Sequence, residues 1–217
     1  VTVFFVLSGF LITRILITEI EETHTIDLKN FWVRRIRRLI PAVLSMAVVI
    51  IFVSAVVNRV VFTKGCKDFV ASVLGFNNWW QIFNKVSYFE AAGAPSPFTH
   101  CWSLAIETQF YLIYPILLLL LARVVRGRKK RGKVFAIVSA LLAVVSMILM
   151  AVLYNPNGDP SRVYYGTDTR AFALLIGALA AIQLEYRIIK VRLPKKIWAL
   201  IGSISLVILT CMMIFIS

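Results

Sequence analysis

The chain has 217 residues, of which 60% are apolar, and its mean hydropathy is +0.85. These values exclude an ordinary soluble domain, because several apolar runs reach the roughly 20 residues that a helix needs to cross a bilayer. The net charge of +14 does not indicate a nucleic-acid-binding protein. Most of the basic residues lie in three clusters between apolar runs, as in loops that obey the positive-inside rule, at 14–38, 123–133 and 187–196.

The apolar runs predict an all-α, polytopic transmembrane helix bundle with about six spans and one interfacial or re-entrant segment. The predicted spans are 1–17, 40–62, 100–122, 134–153, 170–186 and 197–217. A half-apolar stretch, 69–83, would place the basic run 123–133 outside if it crossed fully, so we expect it to be the partial segment. Because the chain begins and ends within apolar runs, we expect residues 1–217 to be part of one membrane-embedded domain of a longer protein.

The first predicted span contains the small polar pair Ser8-Gly9. Such pairs usually mark close packing between membrane helices, and they can also line a polar site. The sequence leaves both interpretations open.

The segment between the first and second predicted spans predicts a short amphipathic helix that is capped by Asp27. A new span is expected to begin at Pro41. Its basic residues include Arg34, Arg35 and Arg38. They are typical of a helix that anchors to phospholipid, and guanidinium groups one helical turn apart also suit the phosphate oxygens of a cytoplasmic ligand.

The central span carries a polar stripe at helical spacing, formed by His100, Ser103, Glu107, Tyr111 and Tyr114. An ionisable group within a span is a functional candidate, so Glu107 is expected to be catalytic, with His100 and Tyr111 as further candidates. Glu107 could orient a histidine that acts as general base, or it could be a structural carboxyl paired with another helix. His100 lies about 10 Å away along a helix, which is too far for a direct hydrogen bond. Either His100 acts near the outer mouth, or the histidine partner of Glu107 lies in an N-terminal part that this chain lacks.

Pro115 lies within this span and cannot donate a backbone hydrogen bond. The carbonyl of Tyr111, four residues earlier, therefore lacks its usual donor. We expect a kink and an open acceptor beside the polar stripe.

A loop on the outer side contains Tyr164, Tyr165, Asp168 and Arg170. This set resembles a carbohydrate-binding lip, although Asp168 and Arg170 could simply cap a helix and pair with each other. The three cysteines do not show metal-ligand spacing, so no metal is expected, and a disulfide between Cys66 and Cys101 remains open.

Four stretches of the chain resemble the acyltransferase 3 family of integral membrane O-acyltransferases. They occur in the family's order and read FFVLSGFLI (4–12), FWVRRIRRLIP (31–41), HCWSLAIETQFYLIYP (100–115) and YYGTDTRAFALLIG (164–177). The last stretch is most similar to peptidoglycan O-acetyltransferases of Gram-positive bacteria.

This resemblance implies transfer of an acetyl group from cytoplasmic acetyl-CoA to a hydroxyl of an extracytoplasmic cell-wall glycan, in the bacterial cytoplasmic membrane. It implies that Arg35 and Arg38, beside Arg34, contact the donor and that Glu107 is the intramembrane carboxylate. It further implies an essential histidine on a first helix that this chain lacks, and in some members an extracytoplasmic hydrolase-like domain. A fragment without these parts is expected to be inactive alone.

The same residues allow a second function, a proton-coupled transporter or flippase for a glycan-related solute. In that case Glu107 would carry the proton and the basic loops would only set the topology. A transferase requires Arg35 and Arg38 in order to use the thioester, whereas a transporter should tolerate lysine at both positions.

Overall fold

The computed structural model describes residues 1–57, 59–89, 96–188 and 194–215. In these ranges the regular structure is entirely helical. The helices are α1 (Thr2–Thr23), α2 (Leu28–Val57), α3 (Arg59–Val73), α4 (Asn77–Phe83), α5 (Trp102–Val124), α6 (Arg128–Leu153), α7 (Ser161–Tyr165), α8 (Thr167–Tyr186) and α9 (Lys195–Phe215), with a 3-10 turn at Thr99–Cys101.

Five of the described helices are long and apolar enough to cross a membrane, namely α1, α2, α5, α6 and α8. The predicted all-α, multi-pass membrane bundle is therefore confirmed. The sixth predicted span coincides with α9, and the exact number of spans stays a prediction.

The amphipathic segment and the second span form one helix, which is a correction to the predicted break at Pro41. Helix α2 runs through Pro41 without interruption. Proline removes only the hydrogen bond to the carbonyl of Arg37, and membrane helices tolerate such a loss when neighbouring groups or water supply a donor. The predicted cap is confirmed, because Asp27 Oδ1 accepts a hydrogen bond of 3.0 Å from the backbone N–H of Asn30, and this bond lowers the pKa of Asp27.

The predicted partial segment is a helical hairpin made of α3 and α4. It begins earlier in the chain than expected, since α3 starts at Arg59. The turn between the two helices needs the positive φ of 73° that Gly75 adopts, and the side chain of Thr108 on α5 packs against it. The Gln109 side-chain amide donates a hydrogen bond of 3.0 Å to the Gly75 carbonyl, so the hairpin is held against α5.

Helices α1 and α8 pack backbone to backbone through two glycines. A Cβ atom at Gly9 would overlap the carbonyl oxygen of Leu174, and one at Gly177 would overlap that of Val6. The packing interpretation of Ser8-Gly9 is therefore confirmed for Gly9. This close contact places the Ser8 side chain at a fixed depth beside the centre of the bundle.

One end of the bundle, which we call the basic end, is held by ion pairs among α1, α6 and α8. Glu21 accepts a hydrogen bond of 2.7 Å from the Tyr186 hydroxyl and lies 3.5 Å from Arg131. Arg14 and Glu185 pair at 3.1 Å. The basic segments 14–38 and 123–133 thus meet the C-terminal end of α8 at one end of the bundle, and the loop with Tyr164 lies at the opposite end.

Candidate functional site

The centre of the bundle contains a buried carboxyl group, Glu107, whose side chain is only 2% exposed. It interacts with the hydroxyls of Ser8 and Tyr111, and the positive charge of Arg35 acts on it from a greater distance. Its Oε1 atom has no hydrogen-bond partner among the described residues. Ser8 therefore lines the site, which was the second interpretation of the Ser8-Gly9 pair.

Arg35 connects this carboxyl to the basic end. Its guanidinium lies 5.4 Å from the ring centroid of Tyr111 and 5.7 Å from that of Phe31. Arg35 is half-buried and also lines a small apolar cavity of about 170 Å³ between α2, α3 and α5, to which Tyr111 contributes. Arg35 on α2 thus contacts Tyr111 on α5, and Tyr111 in turn interacts with Glu107 on the same helix.

The open acceptor predicted from Pro115 is present, and it has a donor from another helix. The indole Nε1 of Trp32 donates a hydrogen bond of 3.1 Å to the backbone carbonyl of Tyr111. Trp32 lies one turn before Arg35 on α2. The proline in α5 therefore creates the point at which α2 attaches and at which Arg35 is placed over the Tyr111 ring.

Arg34 and Arg38 point away from this line of contacts, and both are exposed. Arg34 contributes to an open groove of about 660 Å³ between α1 and α2 at the basic end, together with Arg14 and Asp27. The three predicted donor-binding arginines thus divide, with Arg35 directed into the bundle and the other two towards the surface.

The predicted stripe on α5 also divides. Glu107, Tyr111 and Tyr114 are buried, and the Tyr114 hydroxyl hydrogen-bonds with that of Ser139 at 3.0 Å. His100 is exposed, because it lies in the 3-10 turn that precedes α5 and so does not continue the helical stripe. Its ring is 6.4 Å from that of Tyr88, at the end opposite the basic end.

In the loop around Tyr164, the pair between Asp168 and Arg170 that the sequence allowed is not formed. Asp168 receives two hydrogen bonds from Arg162, at 3.1 and 2.8 Å, rather than pairing with Arg170. Arg170 instead donates from Nε to the Tyr164 carbonyl at 3.3 Å, and its guanidinium lies over the Tyr164 ring at 4.6 Å. The residue spacing did not indicate a role for Arg162. The turn after α7 decides which carboxylate Arg162 meets, and that turn cannot be read from the spacing.

The two tyrosines of this loop are not equivalent. Tyr164 is half-buried within a cluster of aromatic rings, where loss of solvation and a hydrogen bond with Tyr88 raise its pKa to about 12. Tyr165 is fully buried, and burial raises its pKa as well. Its hydroxyl has no partner among the described residues. Tyr165 therefore faces the protein interior, and only Tyr164 contacts the loop's open surface.

A polar network that sequence analysis did not identify fixes this loop to the hairpin. The Asn78 amide donates to the Tyr165 carbonyl at 3.0 Å and to the Thr167 hydroxyl at 2.8 Å. The Thr167 hydroxyl donates to Gln109 Oε1 at 2.6 Å, and the Gln109 amide donates to Asn78 Oδ1 at 2.9 Å. The polar Asn78 within a half-apolar stretch was the available signal.

Other candidate chemistry is limited in the described part of the chain. There, no group of three or more histidine, cysteine or acidic side chains is arranged to hold a metal ion. The three cysteines are free, so Cys66 and Cys101 do not form a disulfide. The buried contacts at Glu107 and the aromatic loop at Tyr164 are thus the two candidate sites in the described part of the chain.

Comparisons with known proteins identify the family of the chain. A family model described as an acyltransferase domain matches residues 1–216. The chain is 43% identical over 215 residues to the peptidoglycan O-acetyltransferase OatA of Listeria monocytogenes, covering 99% of this chain and 34% of that protein. It is 46% identical over 198 residues to a Bacillus subtilis protein named "Putative peptidoglycan O-acetyltransferase YrhL", covering 91% of this chain and 31% of that protein.

The chain thus spans about a third of the length of these relatives. No solved structure matches it. The family match extends over nearly the whole chain, residues 1–216. On this evidence the chain belongs to the acyltransferase 3 family of membrane O-acyltransferases.

Proposed function

We propose that this chain is part of a membrane enzyme that transfers an acetyl group from cytoplasmic acetyl-CoA to a hydroxyl of an extracytoplasmic cell-wall glycan. The observation that carries the proposal is the line of contacts from Arg35 through Tyr111 to the buried Glu107. The names of the relatives support an O-acetyl transfer to peptidoglycan. The positive-inside rule assigns the basic end to the cytoplasm, where acetyl-CoA is found.

The three arginines have separate roles in this proposal. Arg34 and Arg38, which are exposed at the basic end, attract and hold the phosphates of the donor. Arg35 faces inward, so its guanidinium is placed to position the thioester end beside Tyr111. A CoA molecule is too large and too charged to cross the bilayer. A small acetyl group, in contrast, can be passed to an acceptor that approaches from the other side.

The chemistry requires one bond to form and one to break. The acceptor hydroxyl oxygen attacks the thioester carbonyl, the new C–O bond forms, and the C–S bond breaks to release the CoA thiolate. The hydroxyl proton must pass to a base and the thiolate must receive one. Glu107 serves this exchange either directly or by orienting a histidine, as the family resemblance implies, and the Tyr111 hydroxyl beside it contributes a hydrogen bond.

The test follows labelled acetyl from acetyl-CoA into cell-wall glycan, with the full-length parent protein in membranes. Glu107→Gln is expected to lower transfer by at least a hundredfold, because an amide cannot accept the proton. Glu185→Gln is the matched control, since this carboxylate lies on α8 at the basic end and pairs with Arg14. It should retain transfer.

A second comparison tests the donor site. Arg35→Ala combined with Arg38→Ala is expected to raise the acetyl-CoA concentration needed for half-maximal rate. Lysine at both positions should restore only part of the affinity, because it lacks the planar fork. If labelled acetyl never reaches glycan while these variants alter the flux of a solute, the transporter hypothesis replaces the transferase.

A further inference from the structure

The end of the bundle opposite the basic end contains an open cavity of about 500 Å³ beside the Tyr164 loop. Aromatic side chains form much of its lining, and Arg170 is the one charged residue among the described residues that line it. Its size lies within the range of small-ligand sites. It lies on the side from which an extracytoplasmic acceptor would approach under the proposed function, and the inference below rests on that function.

Among the described residues, Tyr164 is the one that holds the guanidinium of Arg170 in place. Its Nε atom donates to the Tyr164 carbonyl, and the Tyr164 ring lies under its plane. Neither Nη atom makes a hydrogen bond to the described part of the chain, and no described carboxylate lies within 4 Å of this side chain. Within the described part of the chain, Arg170 therefore presents a fixed fork of two Nη donors that have no partner.

The neighbouring carboxylates are engaged elsewhere. Asp168 makes its two hydrogen bonds with Arg162, and Asp159 accepts from the backbone N–H of Ser161 at 3.0 Å. Among the described residues, the half-buried cation Arg170 is thus left without an anion. A positive charge at this depth is unfavourable unless a counter-ion pairs with it. The planar guanidinium of an arginine suits a carboxylate, to which it can donate two parallel hydrogen bonds.

The other lining residues point to a sugar as the body of that partner. Phe89 and Tyr154 line the cavity with rings that are 54% and 53% exposed. Exposed aromatic rings offer a flat apolar surface that matches the C–H face of a pyranose, and a tyrosine adds a polar hydroxyl at its edge. We infer that this cavity binds an acceptor sugar that carries a carboxylate, which Arg170 recognises through its two Nη atoms.

The test compares one acceptor oligosaccharide in two forms, with its carboxylate free and with the same group as a methyl ester. Affinity for each is measured with the full-length protein in phosphatidylcholine nanodiscs without acetyl-CoA, so the result does not depend on catalysis. The wild type should bind the acid about ten- to hundredfold more tightly than the ester, as expected for a charge-assisted pair. Arg170→Gln should reduce this ratio to about one while leaving affinity for the ester unchanged.

A control variant separates a specific site from general attraction. Arg59→Gln removes an exposed positive charge that lies outside the cavity. Arg59→Gln should keep the wild-type ratio, and Arg170→Lys should give an intermediate one.

Equal affinity of the wild type for acid and ester would overturn the inference, and so would a preference that survives in Arg170→Gln. A loss of preference in Arg59→Gln as large as in Arg170→Gln would show that surface charge is the cause. If anionic phospholipid displaced the oligosaccharide and this displacement required Arg170, the ligand of the cavity would be a lipid headgroup. That result would also overturn the inference. The proposed function is tested separately by the transfer assay. It fails if labelled acetyl never reaches the acid or the ester form of the oligosaccharide.

Discussion

The hydrogen bond between Trp32 and the Tyr111 carbonyl should depend on Pro115. The carbonyl is open only because residue 115 has no N–H, so Trp32 supplies the donor at 3.1 Å. Trp32→Phe removes that donor and leaves a carbonyl unpaired in the membrane. We expect a loss of about 1–3 kcal/mol in the free energy of unfolding, the usual cost of an unsatisfied buried group.

The same substitution should cost less when Pro115 is replaced by alanine. In a Pro115→Ala background the Ala N–H can donate to the Tyr111 carbonyl within the helix, so Trp32→Phe removes a donor that is no longer needed. We expect it to cost less than about 1 kcal/mol there, mainly from the smaller ring. The two substitutions should therefore be coupled by about 1 kcal/mol.

The assay is equilibrium unfolding of the full-length protein in mixed micelles, for the two single variants and the double variant. Trp79→Phe is the matched control, because its Nε1 donates to Gln109 Oε1 at 3.1 Å, an acceptor that Pro115 does not affect. It should cost the same in both backgrounds. Additive effects of Trp32→Phe and Pro115→Ala would refute the assignment of Trp32 as the substitute donor.

Three further outcomes are expected. Gly9→Ala and Gly177→Ala should each destabilise the bundle by more than about 2 kcal/mol, because the new methyl group meets a backbone carbonyl of the facing helix. Gly202→Ala, inside α9 with open space around it, should not destabilise in the same unfolding assay and should stabilise by up to about 1 kcal/mol. Asp168→Asn should weaken the partly exposed pair with its arginine and cost about 1 kcal/mol, less at high salt. Because burial raises the pKa of Tyr164 to about 12, stability should be complete below pH 10 and fall as pH rises towards 12, and Tyr164→Phe should reduce that fall, measured as the fraction unfolded against pH.

The sequence predicted the class of fold well because hydropathy is a local property. A run of apolar residues as long as the bilayer is thick must be helical in order to satisfy its own backbone, wherever the neighbouring helices lie. The same local reasoning identified Glu107 as a buried ionisable group and located the open Tyr111 carbonyl. It failed at Pro41, because whether a proline begins or interrupts a membrane helix depends on the groups around it.

The grouping of the polar residues was harder to predict because it depends on long-range contacts. His100 has the right spacing for the stripe on α5, but a 3-10 turn ahead of the helix turns it to the surface. Asp168 pairs with Arg162 rather than with Arg170, which has no carboxylate partner in the described part of the chain. Neither fact is visible in residue spacing, since both depend on how a short helix and a turn are oriented.

The sequence alone determined that this protein is a multi-pass helical membrane protein with a basic side, a buried carboxyl and an aromatic loop. Each of these follows from residue type and spacing. The position of a residue along a spanning helix sets its depth in the bilayer, and the basic loops set the orientation of the chain. Only the tertiary structure decided that Arg35 reaches Tyr111, that Trp32 joins α2 to the proline position of α5, and that Arg170 faces an open cavity. These contacts join residues far apart in the chain, and the close packing of helices fixes them.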